Sequence, residues 1–228
     1  MVADDVRGLE AIPSGNVVVG IPTSLGIALT VSLALTIRRL YPKIHLRVTE
    51  GLSGHMSQWL LSGELDFALM FDAEHIAGVV KDRVAKEHLN LVGVQGSAAL
   101  LDGGEIAASE IFCLPLILPG RPHGLREEVE RAASRQGVKP NIVLEIDSLE
   151  HIKALVAEDA GYTILSRRVA DHGAIAGRLK YRPISDPAIE RTIYLARSSS
   201  KPLSSAAAAV NSVLLDMFTA HQSSKIVQ

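Results

Sequence analysis

The chain has little of what several protein classes require. Its 228 residues include one cysteine, Cys113, so no disulfide can form within the chain, and a cytoplasmic setting fits this better than a secreted scaffold. Aromatic residues make up only 4%, so aliphatic side chains must fill the core. The net charge of −2 lacks the basic excess expected of a chain that only binds nucleic acid. No charge-free apolar run reaches the roughly 18 residues of a membrane span, and the acidic start predicts no secretory signal.

Motifs of catalysis and metal binding are also absent from the sequence. It has no G-x-S-x-G, H-E-x-x-H, P-loop or G-x-G-x-x-G, and its histidines are scattered. The nearest approach to a catalytic acid pair is Glu64 and Asp66, which we expect in a turn. We therefore expect neither an enzyme nor a bound metal or cofactor.

Strand and helix patterns alternate along the first third of the chain. Short β-branched or apolar runs at 16–21, 45–49 and 67–71 predict strands, and the segments 25–40 and 55–61 between them predict helices. Thr23 or Ser24 is the expected N-cap of the first helix, and Pro42 follows its end. This βαβαβ order predicts an α/β fold with a parallel sheet.

The rest of the chain predicts a second α/β unit and a return to the first. Strand-like runs occupy 79–84, 89–94, 115–118, 141–146, 162–165 and 190–196. Helical patterns occupy 124–136, 148–158 and 204–222, with a short helical turn at 169–172. We predict that residues 15–94 and 194–228 form lobe I and residues 95–193 form lobe II, with a hinge and a ligand cleft between the lobes.

Several segments, in this order and spacing, carry a family resemblance. They are GNVVVGIPTS at 15–24, RLYPKIHL at 39–46, EGLSG at 50–54, LLSGELDFAL at 60–69 and VAEDAGYTILS at 156–166. Together they resemble the effector-binding domain of LysR-type transcriptional regulators. PGRPHGLR at 119–126 is similar to the branch of nitrogen- and sulfur-assimilation regulators. Two positions depart from the family pattern, because Asp159 stands where glycine is usual and Ser166 where proline is frequent.

The resemblance implies a two-lobed, periplasmic-binding-protein-like (type 2) fold, each lobe being a mainly parallel sheet flanked by helices. It implies that a small-molecule effector binds between the lobes and that residues 1–14 are the remnant of a linker. DNA would then be bound only through an N-terminal winged helix-turn-helix of the full-length protein, which we expect to be a homodimer or tetramer. The main alternative is a solute-binding protein of a transporter with the same fold, and an enzyme on that fold is another.

We select candidate site residues at the carboxyl ends of parallel strands and at the starts of helices, because ligands bind at the former and anions at the latter. Hydroxyls and backbone N–H groups at the start of a helix favour an anion, although capping alone would also explain serine and threonine there. Arginine offers a planar fork to a carboxylate or phosphate, although a solvated basic turn is the alternative. The candidates for binding a small anionic effector are Thr23, Ser24, Ser53, Phe71, Arg121, His123, Arg126 and Ser148.

The first predicted helix is apolar almost all the way round. From Leu25 to Arg38 only glycine, serine and threonine interrupt its apolar residues. A surface helix of a monomer should have one apolar stripe and a polar face. We therefore predict that one side of this helix covers the sheet and that the other packs against the second lobe of a partner, as the resemblance implies. The final helix, 204–222, could instead cover that outer side within one chain.

Overall fold

The computed structural model describes residues 12–71, 76–101, 103–173 and 175–223. The segment predicted to be a linker remnant, 1–14, therefore lies almost entirely outside the described residues. The first elements are β1 (Gly15–Ile21), α1 (Thr23–Leu40), β2 (Ile44–Glu50), α2 (Ser53–Ser62) and β3 (Phe67–Phe71). The three strands pair in parallel in the order β2-β1-β3, which confirms the predicted βαβαβ unit.

Helix α1 covers this sheet with one face. Leu25, Leu29, Leu33 and Ile37, spaced four residues apart, are each at most 2% exposed. They pack with the inner side chains of β1 and β3 and with the last helix, α8 (Ser205–Ser223). By length and composition alone α1 could cross a membrane, with a mean hydropathy of 1.3. Here that composition belongs to a core helix whose outer face is also apolar.

One long strand links the two halves of the molecule. The runs at 79–84 and 89–94, predicted as separate strands, form a single strand of 16 residues, β4 (Val79–Val94). The residues between the two runs, AKEH, include no glycine or proline that would end a strand. The first part of β4 pairs with β10 (Glu190–Ser198), and its last part pairs with β8 (Thr163–Ser166) and β9 (Leu179–Ser185).

The resulting sheet is mixed, which corrects the expectation of mainly parallel sheets. β10 runs antiparallel to both β3 and β4, because the chain that leaves lobe I through β4 returns through β10 in the opposite direction. In lobe II, β8 and β9 are also antiparallel to β4. Pro183 lies within β9 and weakens its strand pattern, so the sequence did not predict this strand.

The remaining elements belong to the second half of the chain. Its other strands are β5 (Ile106–Ala107), β6 (Leu116–Leu118) and β7 (Ile142–Glu145), of which β6 and β7 form a parallel pair. The helices are α3 (Ala98–Leu101), α4 (Ala108–Ile111), α5 (Gly124–Arg135), α6 (Leu149–Ala157) and α7 (Arg167–Ala170), with a 3₁₀ turn at 176–178.

The buried side chains form two main cores, one in each lobe. The core of lobe I lies between β1, β3, β10, α1 and α8, with a smaller cluster under α2. The core of lobe II lies around β6, β8, α5 and α6, and it includes Leu89 and Leu91 from the end of β4. The lobe boundaries stay a prediction, and this packing favours a crossing inside β4, before Leu89, over one at residue 94.

The turn between α6 and β8 explains one departure from the family pattern. Asp159 has a backbone φ of 60°, a conformation that glycine adopts without strain and that aspartate tolerates better than most residues. Two residues later Gly161 has a φ of 151°, and a Cβ atom there would lie 2.6 Å from the carbonyl oxygen of Pro115. Glycine is therefore required at 161, whereas at 159 it is only favoured.

We expect Gly161→Ala to lower the free energy of unfolding by about 2–4 kcal/mol, because it combines backbone strain with overpacking against Pro115. Gly137→Ala is the matched control, since Gly137 also has a positive φ, 70°, but a Cβ there meets no atom within 4 Å. That variant should lose only about 1–2 kcal/mol. Urea unfolding of both proteins measures the difference, and equal losses would show that the contact with Pro115 is unimportant.

Candidate functional site

Three helices begin at one small chamber between the lobes. α1 and α2 follow parallel strands of lobe I, and α5 belongs to lobe II. We call this space, of about 40 Å³, the inner chamber. Helix starts carry partial positive charge and unused N–H groups, so their convergence favours an anion. The lining residues are Pro22, Thr23, Ser24, Gly51, Leu52, Ser53, Phe71, His123, Gly124, Leu125 and Arg191.

The two helix starts of lobe I have no side-chain caps. α1 begins at Thr23 itself, its N-cap position is Pro22, and no side chain caps it, so the expectation that Thr23 or Ser24 is the N-cap was wrong. Neither hydroxyl makes a hydrogen bond with another described residue. Ser53 likewise does not cap α2, because its Oγ accepts a hydrogen bond from the backbone N–H of Phe71 at 3.2 Å.

Arg191 brings a buried guanidinium with a free donor to the chamber, and the sequence analysis missed it. The residue is 3% exposed, and its Nη2 donates to Oε2 of Glu87 at 2.6 Å. The guanidinium lies 3.7 Å from the ring centroid of Phe71. Its Nε is buried and has no hydrogen-bond partner among the described residues. A buried donor without a partner costs about 1–3 kcal/mol, which a bound acceptor would recover.

A signal for Arg191 was present in the strand pattern. Residues 191, 193 and 195 of β10 share one face, and Ile193 and Leu195 are buried in the core of lobe I. A charged residue at an inward position of a strand is rarely buried without a specific partner. The periodicity that predicted the strand could therefore have selected Arg191 as a candidate.

His123 contributes from lobe II as the N-cap of α5. Its Nδ1 accepts a hydrogen bond from the backbone N–H of Leu125 at 3.2 Å. Burial lowers the pKa of His123 and the positive charge of Arg191 lowers it further, against the opposing effect of Asp147. The imidazole is therefore neutral near pH 7, with Nδ1 as an acceptor and its proton on Nε2.

A larger cavity of about 300 Å³, the outer chamber, continues the cleft. It shares Leu52, Ser53, Phe71 and Gly124 with the inner chamber. The residues that line only the outer chamber are Gly54, His55, Ser57, Met70, Ile76, Pro122, Glu127, Glu128 and Arg131. Together the two chambers provide a narrow, positively charged end and a wider, mixed end.

The structure does not bring three of the eight candidate residues to these chambers. Arg121 is 70% exposed in its side chain and pairs with Glu130. Arg126 is buried between Glu130, at 2.7 Å, and Glu145, at 3.0 Å. Both arginines line a separate cavity, and their neutralisation by glutamates of the same lobe leaves no charge for the cleft.

The third of these residues, Ser148, caps α6, its Oγ accepting from the N–H of His151 at 3.4 Å. The other five candidates, Thr23, Ser24, Ser53, Phe71 and His123, line the inner chamber.

Comparison with known proteins identifies the family. The model of the LysR substrate binding domain matches residues 11–219. The chain belongs to this family. The nitrogen assimilation regulatory protein nac of Klebsiella aerogenes is 28% identical over 204 residues, which cover 89% of this chain and 66% of that protein. The LysR chain thus spans about two thirds of that relative, which is a transcriptional regulator rather than a solute-binding protein.

Solved structures share the fold of this LysR domain. The regulatory domain of Synechocystis CcmR, in complex with 2-PG, superposes with a TM-score of 0.80 at 19% identity, covering 90% of this chain and 98% of that one. The effector-binding domain of QuiR, in complex with shikimate, gives 0.76 at 19% identity, covering 91% and 99%. The two-lobed, periplasmic-binding-protein-like fold that the sequence predicted is confirmed.

The position of His123 predicts how stability depends on pH. Its pKa in the folded chain lies below the ordinary value of 6.5, so the unfolded chain binds a proton more readily than the folded chain does. The stability that this difference contributes is complete above about pH 6.5 and is lost as the pH falls through the folded pKa. We expect the free energy of unfolding to decline as the pH falls below about 6.5.

His123→Asn keeps an acceptor for the start of α5 and removes the titrating ring. Its free energy of unfolding, measured by urea titration at each pH, should decline less over this range than that of the parent. Equal pH dependence in the two proteins would mean that the environment of His123 does not disfavour its charged form.

Proposed function

We propose that the chain is the sensor of a LysR-type regulator for a small anionic effector, whose acid group binds in the inner chamber. The observation that carries this proposal is the convergence of three helix starts on Arg191, whose buried Nε has no partner among the described residues. A carboxylate or phosphate would accept from these donors at once. The chamber has room for little more than the acid group, so the rest of the effector would lie in the outer chamber.

The bound molecules named for two structural relatives support an acidic effector. CcmR was solved with 2-phosphoglycolate and QuiR with shikimate, and both compounds are acids. The relatives differ widely in sequence from this chain, so they support the class of effector and the cleft rather than the compound.

The effector would act by changing the angle between the lobes. Thr23 and Ser53 contribute to the inner chamber from lobe I and His123 from lobe II, so one bound anion contacts both. An effector that binds the closed arrangement more tightly shifts the population toward it. We propose that this domain carries out no chemistry. DNA binding, in the cytoplasm, would be a property of the whole regulator, because this chain spans only about two thirds of the length of a relative.

We further propose that the chain forms a dimer with a second copy through two apolar surfaces. On the outer face of α1, Val31 is 67% exposed and Leu35 is 63% exposed, although α8 packs against other residues of the same helix. In lobe II, Val143 and Leu144 are exposed on β7, which lies at the edge of its two-stranded sheet. In an antiparallel, isologous arrangement each copy supplies both surfaces, and each surface covers the other.

Substitution of Arg191 tests the anion site. We expect inorganic phosphate and 2-phosphoglycolate at millimolar concentration to raise the melting temperature of the parent protein. Arg191→Gln should weaken this binding about tenfold or more, since a charge-assisted hydrogen bond contributes roughly 1.5–3 kcal/mol. Because the loss of Arg191 leaves Glu87 without its partner, Arg191→Lys serves as a second variant that keeps a cation beside Glu87 and removes the planar fork.

Arg121→Gln is the matched control for this experiment, because Arg121 is exposed and lines the separate cavity. Its affinity for both anions should equal that of the parent. The opposite pattern, with affinity lost in Arg121→Gln and kept in both Arg191 variants, would show that the anion binds at the loop 119–126 instead.

Substitution of Leu35 tests the dimer. We expect the parent chain to have the mass of a dimer in light scattering at micromolar concentration and Leu35→Glu to have the mass of a monomer, because a charge would then face the apolar surface of the second copy. Leu101→Glu is the control, since Leu101 is 69% exposed and lies on α3, which belongs to neither surface. A monomeric parent, or a dimer that Leu35→Glu leaves intact, would contradict the proposal.

A further inference from the structure

The charge of the cleft changes sign along its length. The inner chamber has the partial positive charge of three helix starts and the unpartnered Nε donor of Arg191, whose charge is compensated by Glu87. The outer chamber has two glutamates from the first turns of α5, Glu127 and Glu128, together with Arg131. Glu128 is 7% exposed and pairs with Arg131, so these two charges compensate each other. Glu127 is exposed and has no hydrogen-bond or ion-pair partner among the described residues, so its negative charge is uncompensated.

Glu127 is poorly suited to a site for a simple anion. It lies three residues after Gly124, which lines both chambers, and therefore about one helical turn from the anion site. A carboxylate at that distance repels a second negative charge on the effector. An acidic residue in the first turn also stabilises the helix dipole, but this role does not require that its side chain line the cleft.

Apolar side chains lie along the cavity that joins the two charged ends. Leu52 and Phe71 line both chambers, and Met70 and Ile76 line the outer one. The environments along the cleft are therefore, in order, rich in N–H donors, apolar and acidic. The outer chamber, at about 300 Å³, has room for a short carbon chain and a second polar group.

We propose that the effector is amphoteric: a small acid with a protonated amine at its far end, in which the acid group contacts Arg191 and the amine pairs with Glu127. The proposal rests on the function proposed above and adds the second group of the ligand. An ammonium fits better than a hydroxyl, because an ionised carboxylate only accepts hydrogen bonds and gains most from a charged donor. A second carboxylate at the same place would be rejected by Glu127.

A series of acids matched in length tests this inference. Butyrate, 4-aminobutyrate and glutarate share a chain of three carbons beyond the first carboxylate, and the far carbon carries only hydrogen, an ammonium or a second carboxylate. Ethylphosphonate and 2-aminoethylphosphonate form a second pair, with a chain of two carbons. We expect calorimetry to show that each amine binds the parent about threefold to tenfold more tightly than its methyl-terminated match, and that glutarate binds most weakly. Glu127→Gln should remove this preference and leave the affinity for butyrate and ethylphosphonate unchanged or higher.

Glu110→Gln is the matched control, because Glu110 is an exposed first-turn glutamate of α4 that lines neither chamber. It should keep the preference for amines. If butyrate or glutarate binds as tightly as 4-aminobutyrate, and Glu127→Gln changes nothing, the amphoteric effector is rejected while an Arg191-dependent anion site stands. If none of these acids binds, and phosphate and 2-phosphoglycolate do not bind either, the anion site itself is contradicted. The amphoteric effector is then rejected as well.

Discussion

The burial of the Arg191 guanidinium determines much of the architecture around the cleft. Arg191 on β10 stands directly opposite Glu87 on β4, and these are the two strands that cross between the lobes. Its other neighbour, Phe71, is the last residue of β3, and β3 pairs with the edge of β10 that does not pair with β4. Removing one member of a buried ion pair costs about 3–5 kcal/mol, so this contact fixes the relative position of three adjacent strands. The same strands support the start of α2, because Ser53 accepts from the N–H of Phe71.

Two of the three helix starts at the inner chamber lack a side-chain cap. α1 and α2 begin without one, as the short helices α4 and α7 elsewhere also do, whereas α5 is capped by His123. A missing cap costs about 0.5–2 kcal/mol per helix. Proteins depart from local rules of stability mainly at functional sites. The uncapped starts of α1 and α2 meet at the inner chamber, where a bound anion would provide the missing acceptor.

Local sequence signals predicted lobe I better than the crossing strands. β1, β2 and β3 are each bounded by glycine, proline or polar turns, so their limits can be recognised from the sequence. The charged residues in the middle of β4 looked like a connection, because their pairing with β10 depends on residues about a hundred positions later. Such long-range pairing has no local signature. The prediction of mainly parallel sheets, which came from the βαβαβ order and the family resemblance, therefore omitted the antiparallel strand β10.

The candidate site shows the same limit of local reasoning. Thr23, Ser24 and Ser53 could be selected because the carboxyl ends of parallel strands meet at one edge of a sheet. Arg121 and Arg126 were selected for their charge, but Glu130 and Glu145 neutralise them, and Glu145 is nineteen residues from Arg126 in the chain. Arg191 was passed over inside a strand pattern, although its inward position was predictable. Charge identifies a binding residue only when the partners of that charge are also known.

Helix α1 connects the inner chamber to the surface proposed for the dimer. Its first residues, Thr23 and Ser24, line the inner chamber, while Leu35, twelve residues later, is exposed about 18 Å along the same axis. Between these points Ile27 packs against the core of lobe II, so α1 contacts both lobes. A displacement at the start of a helix also moves its outer face when the helix does not bend. An effector that draws His123 toward Thr23 would shift α1 against the second copy, and the change in lobe angle would become a change in the dimer.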